Sequence, residues 1–555
     1  MEKENSSDAS VALIVGITGL AGFSLAEALQ KPTTPGRPWK VYGIARRPLP
    51  RWFPAFLVDG FISLDALDCA DTANKLSPVA HEITHVFWVS MQHHGNEEVN
   101  ISMNSTMLAN VLNALKSTAP SRLRHVTLLT GTKHYMGPIF DPSLRGQLVH
   151  QEPPFKEDLG RLPCPNFYYA LEDLVASYLP SITHSVHRSS IIIGASSRSP
   201  NDTLLTLSVY ATICRYQGLP FRYPGNKYTW EHFCDMSDAR VLAEQQIWAA
   251  VTEGAKNQAF NCTNGDVFTW KSLWGVLCEV FDVEFVAFEE NDEKFDWLGM
   301  IKGKGKVWDE IVEKFGLFET KMEDITCFEA LNVGLHFGFQ HVCSMNKSRE
   351  SGFLGFADTL KSIPMWASSS LNLRQKELEQ HSYLSSGKMM PKAEGIGTEQ
   401  YLGPILDPSL EGKGKLVRQE PPFKEDLDRL GCIIFSFHYT PSSRWSIIIG
   451  ASSRSVDNIL LTLSVHATIC QYQGLPFRYP GNKYTWEHFC DMSDARVLAE
   501  QQKWAAVTDG AKNQAFNCTN GDVFTWKSSW KVLFEVVDVG FVAMKRVMRS
   551  LIGWG

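Results

Sequence analysis

Residues 11–15 (VALIV) form a continuous apolar run of strand length, and the run opens directly into GITGLAG at 16–22. The next stretch, FSLAEALQ, carries Phe23, Ala26 and Leu29 at helical spacing. A glycine triplet alone is only a tight turn, but a strand before it and a helix after it give the context that dinucleotide binding requires. Gly16 permits the turn, Gly19 lets backbone approach a pyrophosphate, and Gly22 lets the helix pack closely. The helix N-terminus adds N–H donors and the positive end of a dipole.

The second strand, 41–45, ends in Ala45-Arg46-Arg47. An acidic residue there would bond a ribose 2′-hydroxyl and favour NAD. Guanidinium forks suit a 2′-phosphate instead, so the expected cofactor is NADPH. The plainer reading of the pair is a solvated loop ahead of Pro48. Further strands are expected at 61–64, 85–90 and 125–130, with a helix around 103–115. Alternating strands and helices predict an α/β fold with a doubly wound parallel sheet, of Rossmann type. Asp65, just past its strand, stands where an adenine is contacted, or caps a turn.

Hydrophobic residues are 44% and charged ones 20% of the 555, enough for a sizeable core and against wholesale disorder. A net charge of −7 argues against nucleic acid as a partner. The start, MEKENSSDAS, is polar and acidic where a secretion signal has a basic end and an apolar run. The apolar stretch 11–29 is broken by three glycines and Glu27, which excludes a membrane span. The cysteines are dispersed without a CxxC pair, so a cytoplasmic protein without a metal site is expected. Assembly as a homodimer stays open.

The chain also repeats part of itself. Residues 216–246 recur unchanged as 472–502, NQAFNCTNGDVFTWKS at 257–272 returns at 513–528, and GTKHYMGP at 131–138 has a weaker match in GTEQYLGP at 397–404. This spacing is far longer than the roughly 20 to 50 residues of a solenoid repeat. The sequence therefore divides into a complete unit at 1–366, a Ser-, Lys- and Glu-rich linker at 367–394, and a partial repeat of about 129–290 at 395–555. The copy has no glycine-rich turn and no arginine pair. Glu399 and Gln400 replace lysine and histidine, and Tyr439, with Pro441 close behind, has no helix to sit on. The copy is expected to be inert.

Many reductases of this build place a tyrosine and a lysine four residues apart on one helix face, where the ammonium acts on the phenol. Here Tyr168 is followed at that spacing by Glu172 and Tyr169 by Asp173, so the pattern is absent. Lys133, immediately after the strand ending at 130–131, lies at the carboxyl edge where such sheets bind ligands, and can meet Tyr168 in space. On residue type alone, the aromatic trio 167–169 reads as core packing and Lys133 as a solvated lysine.

The segments GITGLAG, VYGIARR, TGTKHYMGP, NFYYALED, NCTNGDVFTWKSLW and SMNKSRESGFLGF, in this order from 16 to 356, resemble the progesterone 5β-reductase and iridoid synthase-like family of plant short-chain dehydrogenases/reductases. The resemblance implies an extended, atypical short-chain dehydrogenase fold with a C-terminal substrate-binding part. It also implies NADPH-dependent reduction of the C=C bond of conjugated enones or enals, steroid or monoterpenoid-like. It makes Lys133 and Tyr168 catalytic. It gives the cofactor Thr18, Gly19 and Leu20 at the phosphates, Arg46 and Arg47, Asp65 and Ala66 at the adenine, Ser90 and Ile192 at the ribose and nicotinamide, Tyr168 as a cofactor contact besides its catalytic role, and Ser199 in a loop. The chain departs from the family at 187–194 (HRSSIIIG), where some members have a proline after the arginine, and at Ile139, where other members place an aromatic residue near substrate. The competing expectations are another short-chain reductase or epimerase chemistry, and a protein that binds NADPH without turnover.

Overall fold

The computed structural model describes residues 10–372 and 442–537, apart from short stretches at 119, 145–149, 197, 200, 290–293, 318–319, 446, 451–458, 482 and 513. The chain divides into two compact units, 1–388 and 389–555. In the first, seven strands form one parallel sheet: β1 (Ser10–Val15), β2 (Trp39–Ala45), β3 (Gly60–Ser63), β4 (His85–Trp88), β5 (His125–Gly131), β6 (Thr183–Ser189) and β7 (Gln258–Cys262). Their order is β7-β6-β5-β4-β1-β2-β3. β1 pairs with β2 on one side, Ala12 opposite Val41, and with β4 on the other, Ala12 opposite His85. The strand order therefore reverses at β1, and the crevice beyond β1 and β4 is where sheets of this topology bind ligands.

The doubly wound sheet expected from the sequence is present, and the burial of β1 shows why the strand reads as a continuous apolar run. Val11, Leu13 and Val15 enter one core with α2 (Cys69–Leu76), α3 (Glu97–Lys116) and α5 (Phe167–Ala176), whereas Ala12 and Ile14 enter another with α1 (Leu20–Gln30) and α7 (Ala239–Val251). A parallel strand covered on both faces has no polar side to show. Between β5 and α5, the single turn α4 (Lys133–Met136) follows directly on the strand. A third core, around Trp274, Trp297 and Trp308, joins α6 (Thr203–Gln217) to the helices after β7 and walls the crevice.

The last helix of this unit runs Thr359–Asn372. Trp366 and Ala367 are buried in the third core, and the Trp366 indole N–H donates to Asp238 Oδ2 at 2.9 Å. The first unit thus continues past residue 366, and the segment read as a linker begins inside a helix, because Ala367 has a core to fill.

The described part of the second unit repeats the local pairings of its template. Ser442–Trp445 pairs with Ala515–Cys518, Ile447–Ile449 with Met492–Asp494, and Phe489–Cys490 with Phe524–Thr525. Among the described residues these remain three two-stranded pairs. Glu399, Gln400, Tyr439 and Pro441 lie outside the described residues, as does the rest of 373–441. No helix among the described residues is long and apolar enough to cross a membrane, and no three His, Cys, Asp or Glu side chains among them are grouped to hold a metal ion.

Candidate active site

The glycine turn closes against the neighbouring strand. Gly16 has φ +99°, and a Cβ there would lie 3.0 Å from the Val89 carbonyl oxygen and 3.1 Å from Ser90 Cα. A side chain is excluded by conformation and by space. Gly22 is tighter: a Cβ would stand 2.2 Å from the Gly16 carbonyl oxygen, so α1 can lie over the turn only without one. Gly19 is the N-cap of α1 and offers no side chain to its first N–H groups, which leaves them for a ligand.

A cavity of about 1430 Å³ opens from this turn. That exceeds the roughly 300–1,000 Å³ of a pocket for one drug-sized ligand, as holding a dinucleotide and a second molecule requires. Gly16, Thr18, Gly19, Leu20, Arg46, Arg47, Asp65, Ala66, Ser90, Lys133, Tyr168, Ile192 and Ser199 all line it. Gly22 does not; its part is the packing of α1 on the turn. Arg46 and Arg47 are exposed and have no ion-pair partner among the described residues. Asp65 caps a turn, its Oδ1 accepting from the Leu67 N–H at 3.1 Å, and it also lines the cavity.

At the far end the chain brings Lys133 and Tyr168 together. Lys133 opens α4 at the end of β5, Tyr168 lies in the first turn of α5, and the Lys133 ammonium stands 5.1 Å from the centre of the Tyr168 ring and 4.2 Å from that of Phe167. Asn166 ties the two segments. Its Oδ1 caps α5 by accepting from the Tyr168 N–H at 3.0 Å, and its Nδ2 donates to the Lys133 carbonyl at 2.8 Å. Both side chains are buried. Burial pulls the Lys133 ammonium down to about 8, against the opposing pull of Glu97. Burial, with the Glu97 charge, pushes the Tyr168 phenol well up, so it keeps its proton at any physiological pH. The phenol oxygen makes no hydrogen bond within the described residues and is available to a ligand in the cavity.

Sequence reasoning missed several lining or supporting groups. Glu97 reaches Lys133 from α3, with Oε2 3.8 Å from Nζ. Arg198 lines the cavity, and its Coulombic coupling to Arg47 places a third cation near the arginine pair; burial and that neighbour both lower its pKa. Its loop is clipped to the glycine turn, as Ser196 Oγ donates to the Thr18 carbonyl at 2.8 Å and accepts from the Arg198 N–H at 3.0 Å. His341 contributes a ring driven down to about 4 by burial, hence neutral at pH 7, with Nε2 2.8 Å from Thr132 Oγ1. Only Asn166, a helix-capping residue just ahead of an apolar helix, had a local signal in the sequence. The wall beyond Tyr168 is apolar: Met136, Ile139, Phe140, Phe337 and Leu331 face the cavity.

Strand order, glycine turn and cavity together define a Rossmann-fold protein built to hold a dinucleotide at its switch point. Residues 12–360 match the PRISE-like Rossmann-fold domain, and the chain belongs to that family. It is 46% identical over 357 residues to a (S)-8-oxocitronellyl enol synthase of Camptotheca acuminata, an alignment covering 64% of this chain and 90% of that one. It is 45% identical over 369 residues to a 3-oxo-Δ4,5-steroid 5β-reductase of Arabidopsis thaliana, covering 66% and 92%. A UDP-glucose 4-epimerase of Thermus thermophilus solved with NAD aligns at 13% identity and TM-score 0.43 over 65% of this chain and 98% of that one, a likeness too slight to add to the assignment.

Proposed function

We propose that the first unit is an NADPH-dependent reductase of the carbon–carbon double bond of conjugated enones and enals, and that Tyr168 and Lys133 carry the chemistry. The observation behind this reading is the buried Lys133–Tyr168 pair at the end of a cavity that begins at the glycine turn. It is supported by family membership and by the reductase and enol synthase activities in the relatives' names. NADPH is preferred to NADH because Arg46 and Arg47 line the cavity at the end of β2, where a 2′-phosphate would lie, with no ion-pair partner among the described residues.

When bound, the cofactor supplies a hydride for the β-carbon of the enone. The protein's task is to stabilise the negative charge that develops on the carbonyl oxygen. Tyr168, protonated and with no competing partner among the described residues, donates its O–H to that oxygen. The Lys133 ammonium beside its ring adds a positive charge in a site shielded from water, where such a charge acts strongly. The apolar wall of Met136, Ile139, Phe140 and Phe337 suits a terpenoid or steroid skeleton.

NADPH oxidation measured with progesterone, 2-cyclohexen-1-one and a saturated ketone tests the reading. Turnover of the enones alone is expected. Ketone turnover would favour a carbonyl reductase, and cofactor binding without turnover a sensor. Tyr168→Phe is expected to lower kcat about 10²- to 10³-fold, the usual effect of removing one donor to a developing oxyanion, with NADPH binding largely intact. Full activity of that variant would remove Tyr168 from the chemistry.

A further inference from the structure

The only carboxylate within ion-pair distance of Lys133 among the described residues belongs to Glu97, on the first turn of α3. Its side chain is as buried as the lysine's, at 3% against 8% exposure. Oε2 lies 3.8 Å from Lys133 Nζ and accepts from Asn100 Nδ2 at 3.0 Å. Oε1 accepts from the backbone N–H of Phe167 at 2.8 Å, at the first residue of α5 and next to Tyr168. The Glu97 N–H in turn donates to Asp141 Oδ2 at 2.9 Å, which fixes the start of α3 from the loop beyond α4. One carboxylate therefore grips both members of the proposed pair, the ammonium through charge and the helix carrying the phenol through a hydrogen bond.

We infer that Glu97 is a positioning residue for the reductase chemistry: it keeps Lys133 protonated and aimed at the cavity, and it fixes the entry of α5 so that the Tyr168 hydroxyl meets the substrate oxygen. A buried ammonium with no counter-charge sheds its proton, and a neutral lysine contributes nothing to a developing oxyanion. The other titratable groups around Lys133 do not substitute. Tyr168 stays neutral, and His93, from the loop after β4, has its pKa lowered by burial and by Lys133 itself. Cys164, ahead of α5, has its thiol pushed up by burial and by Glu97, and Asp141 engages the Glu97 backbone and Ser143.

The inference rests on the proposed reductase reading, and its test separates the two. In the full-length protein, the rate of enone reduction at saturating NADPH is expected to fall as pH rises through about 8, as Lys133 loses its proton. Glu97→Gln keeps the shape and an acceptor for the Phe167 N–H but removes the charge. Its falling limb should move at least one pH unit lower, with the NADPH dissociation constant, read from cofactor fluorescence, within about twofold of the parent. Glu97→Asp should restore the limb toward the parent position and also serves if the glutamine variant does not fold. The pH dependence of reductive methylation at Lys133, read by mass spectrometry, gives the same shift without turnover. Coincident limbs and coincident labelling curves in parent and Glu97→Gln overturn the inference. A parent without enone turnover, but with the labelling shift, overturns the reductase reading and leaves the Glu97–Lys133 coupling standing.

Discussion

Arg46 and Arg47 lie directly after β2 and line the cavity with no carboxylate among the described residues to neutralise them, an arrangement that gains energy when an anion arrives. A hydrogen bond to a charged group contributes about 1.5–3 kcal/mol net. Arg46→Ala and Arg47→Ala are therefore each expected to raise the dissociation constant of NADPH by about 10- to 100-fold. NADH, which lacks the 2′-phosphate, should be nearly unaffected, and titration of cofactor fluorescence distinguishes the two. Equal losses for both cofactors would mean that the arginines support the fold of the turn. This pair was legible in the sequence because it follows a strand at a fixed place in the motif. Glu97 was not: its contact with Lys133 exists only because the start of α3 and the turn after β5 meet across the sheet edge, and nothing in the local spacing of either segment announces that meeting. For the same reason the Lys133–Tyr168 pair had to be taken from resemblance, since the local pattern that would have announced it is absent.

At the scale of elements, strands were legible wherever burial on both faces made them apolar. β1 was expected at 11–15 and lies at Ser10–Val15, and β5 was expected at 125–130 and lies at His125–Gly131. α3 begins six residues before its expected start, because Asn96 caps it by accepting from the Val99 N–H at 3.1 Å while its first turn carries Glu97 and Glu98, which blurs the apolar period. The middle of the sheet carries a feature with a measurable consequence. His85 on β4, His125 on β5 and His187 on β6 are buried, His125 and His187 joined through Ser185, and burial holds His85 and His187 down at about 4 and His125 well below 6.5. Above about pH 6.5 neither the folded nor the unfolded chain protonates these rings, and they leave stability unchanged. As pH falls from 6.5 the unfolded chain takes up protons that the folded sheet refuses, so stability is lost down to about 4, by about 1.4 kcal/mol per pH unit for each such ring. Asp235, raised by burial to about 7, and Glu157 and Glu27, also raised by burial, act in the opposite sense, but His93, His134, His184 and His341, lowered by burial like the three in the sheet, add to the loss. Chemical denaturation should thus show a markedly lower midpoint at pH 5 than at pH 7. Equal midpoints would mean that the rings are not neutral in the folded sheet.

At the scale of the whole molecule, duplication copied sequence without copying the surroundings that the sequence needs. Val209, Ile213 and Val241 are 1%, 0% and 4% exposed in the first unit, where α6 packs on later helices and on the short strand Ile191–Ile193, and α7 packs on the sheet and on α1. Their counterparts in the copy, Val465, Ile469 and Val497, are 49%, 48% and 44% exposed on helices Ile459–Gln473 and Ala495–Val507. The copy keeps a small core around Phe477, Trp486 and Trp530, but among its described residues it has no multistranded sheet for those faces to cover. The glycine turn, the arginine pair, Lys133 and Tyr168 all belong to the first unit, whose third core is closed by Ile363, Trp366 and Ala367 near its end. A chain cut after Asn372 is therefore expected to fold, to bind NADPH with a dissociation constant within about twofold of the full-length protein, and to keep its kcat for enones. A cut before Thr359 deletes those three core residues and the Asp238–Trp366 hydrogen bond. Losing several large buried side chains costs about 2–5 kcal/mol each, comparable with the whole stability of a domain, so the shorter chain should be unfolded or aggregated. Thermal denaturation and NADPH titration of both truncations decide the point: loss of cofactor binding in the longer one would show that the first unit depends on its copy.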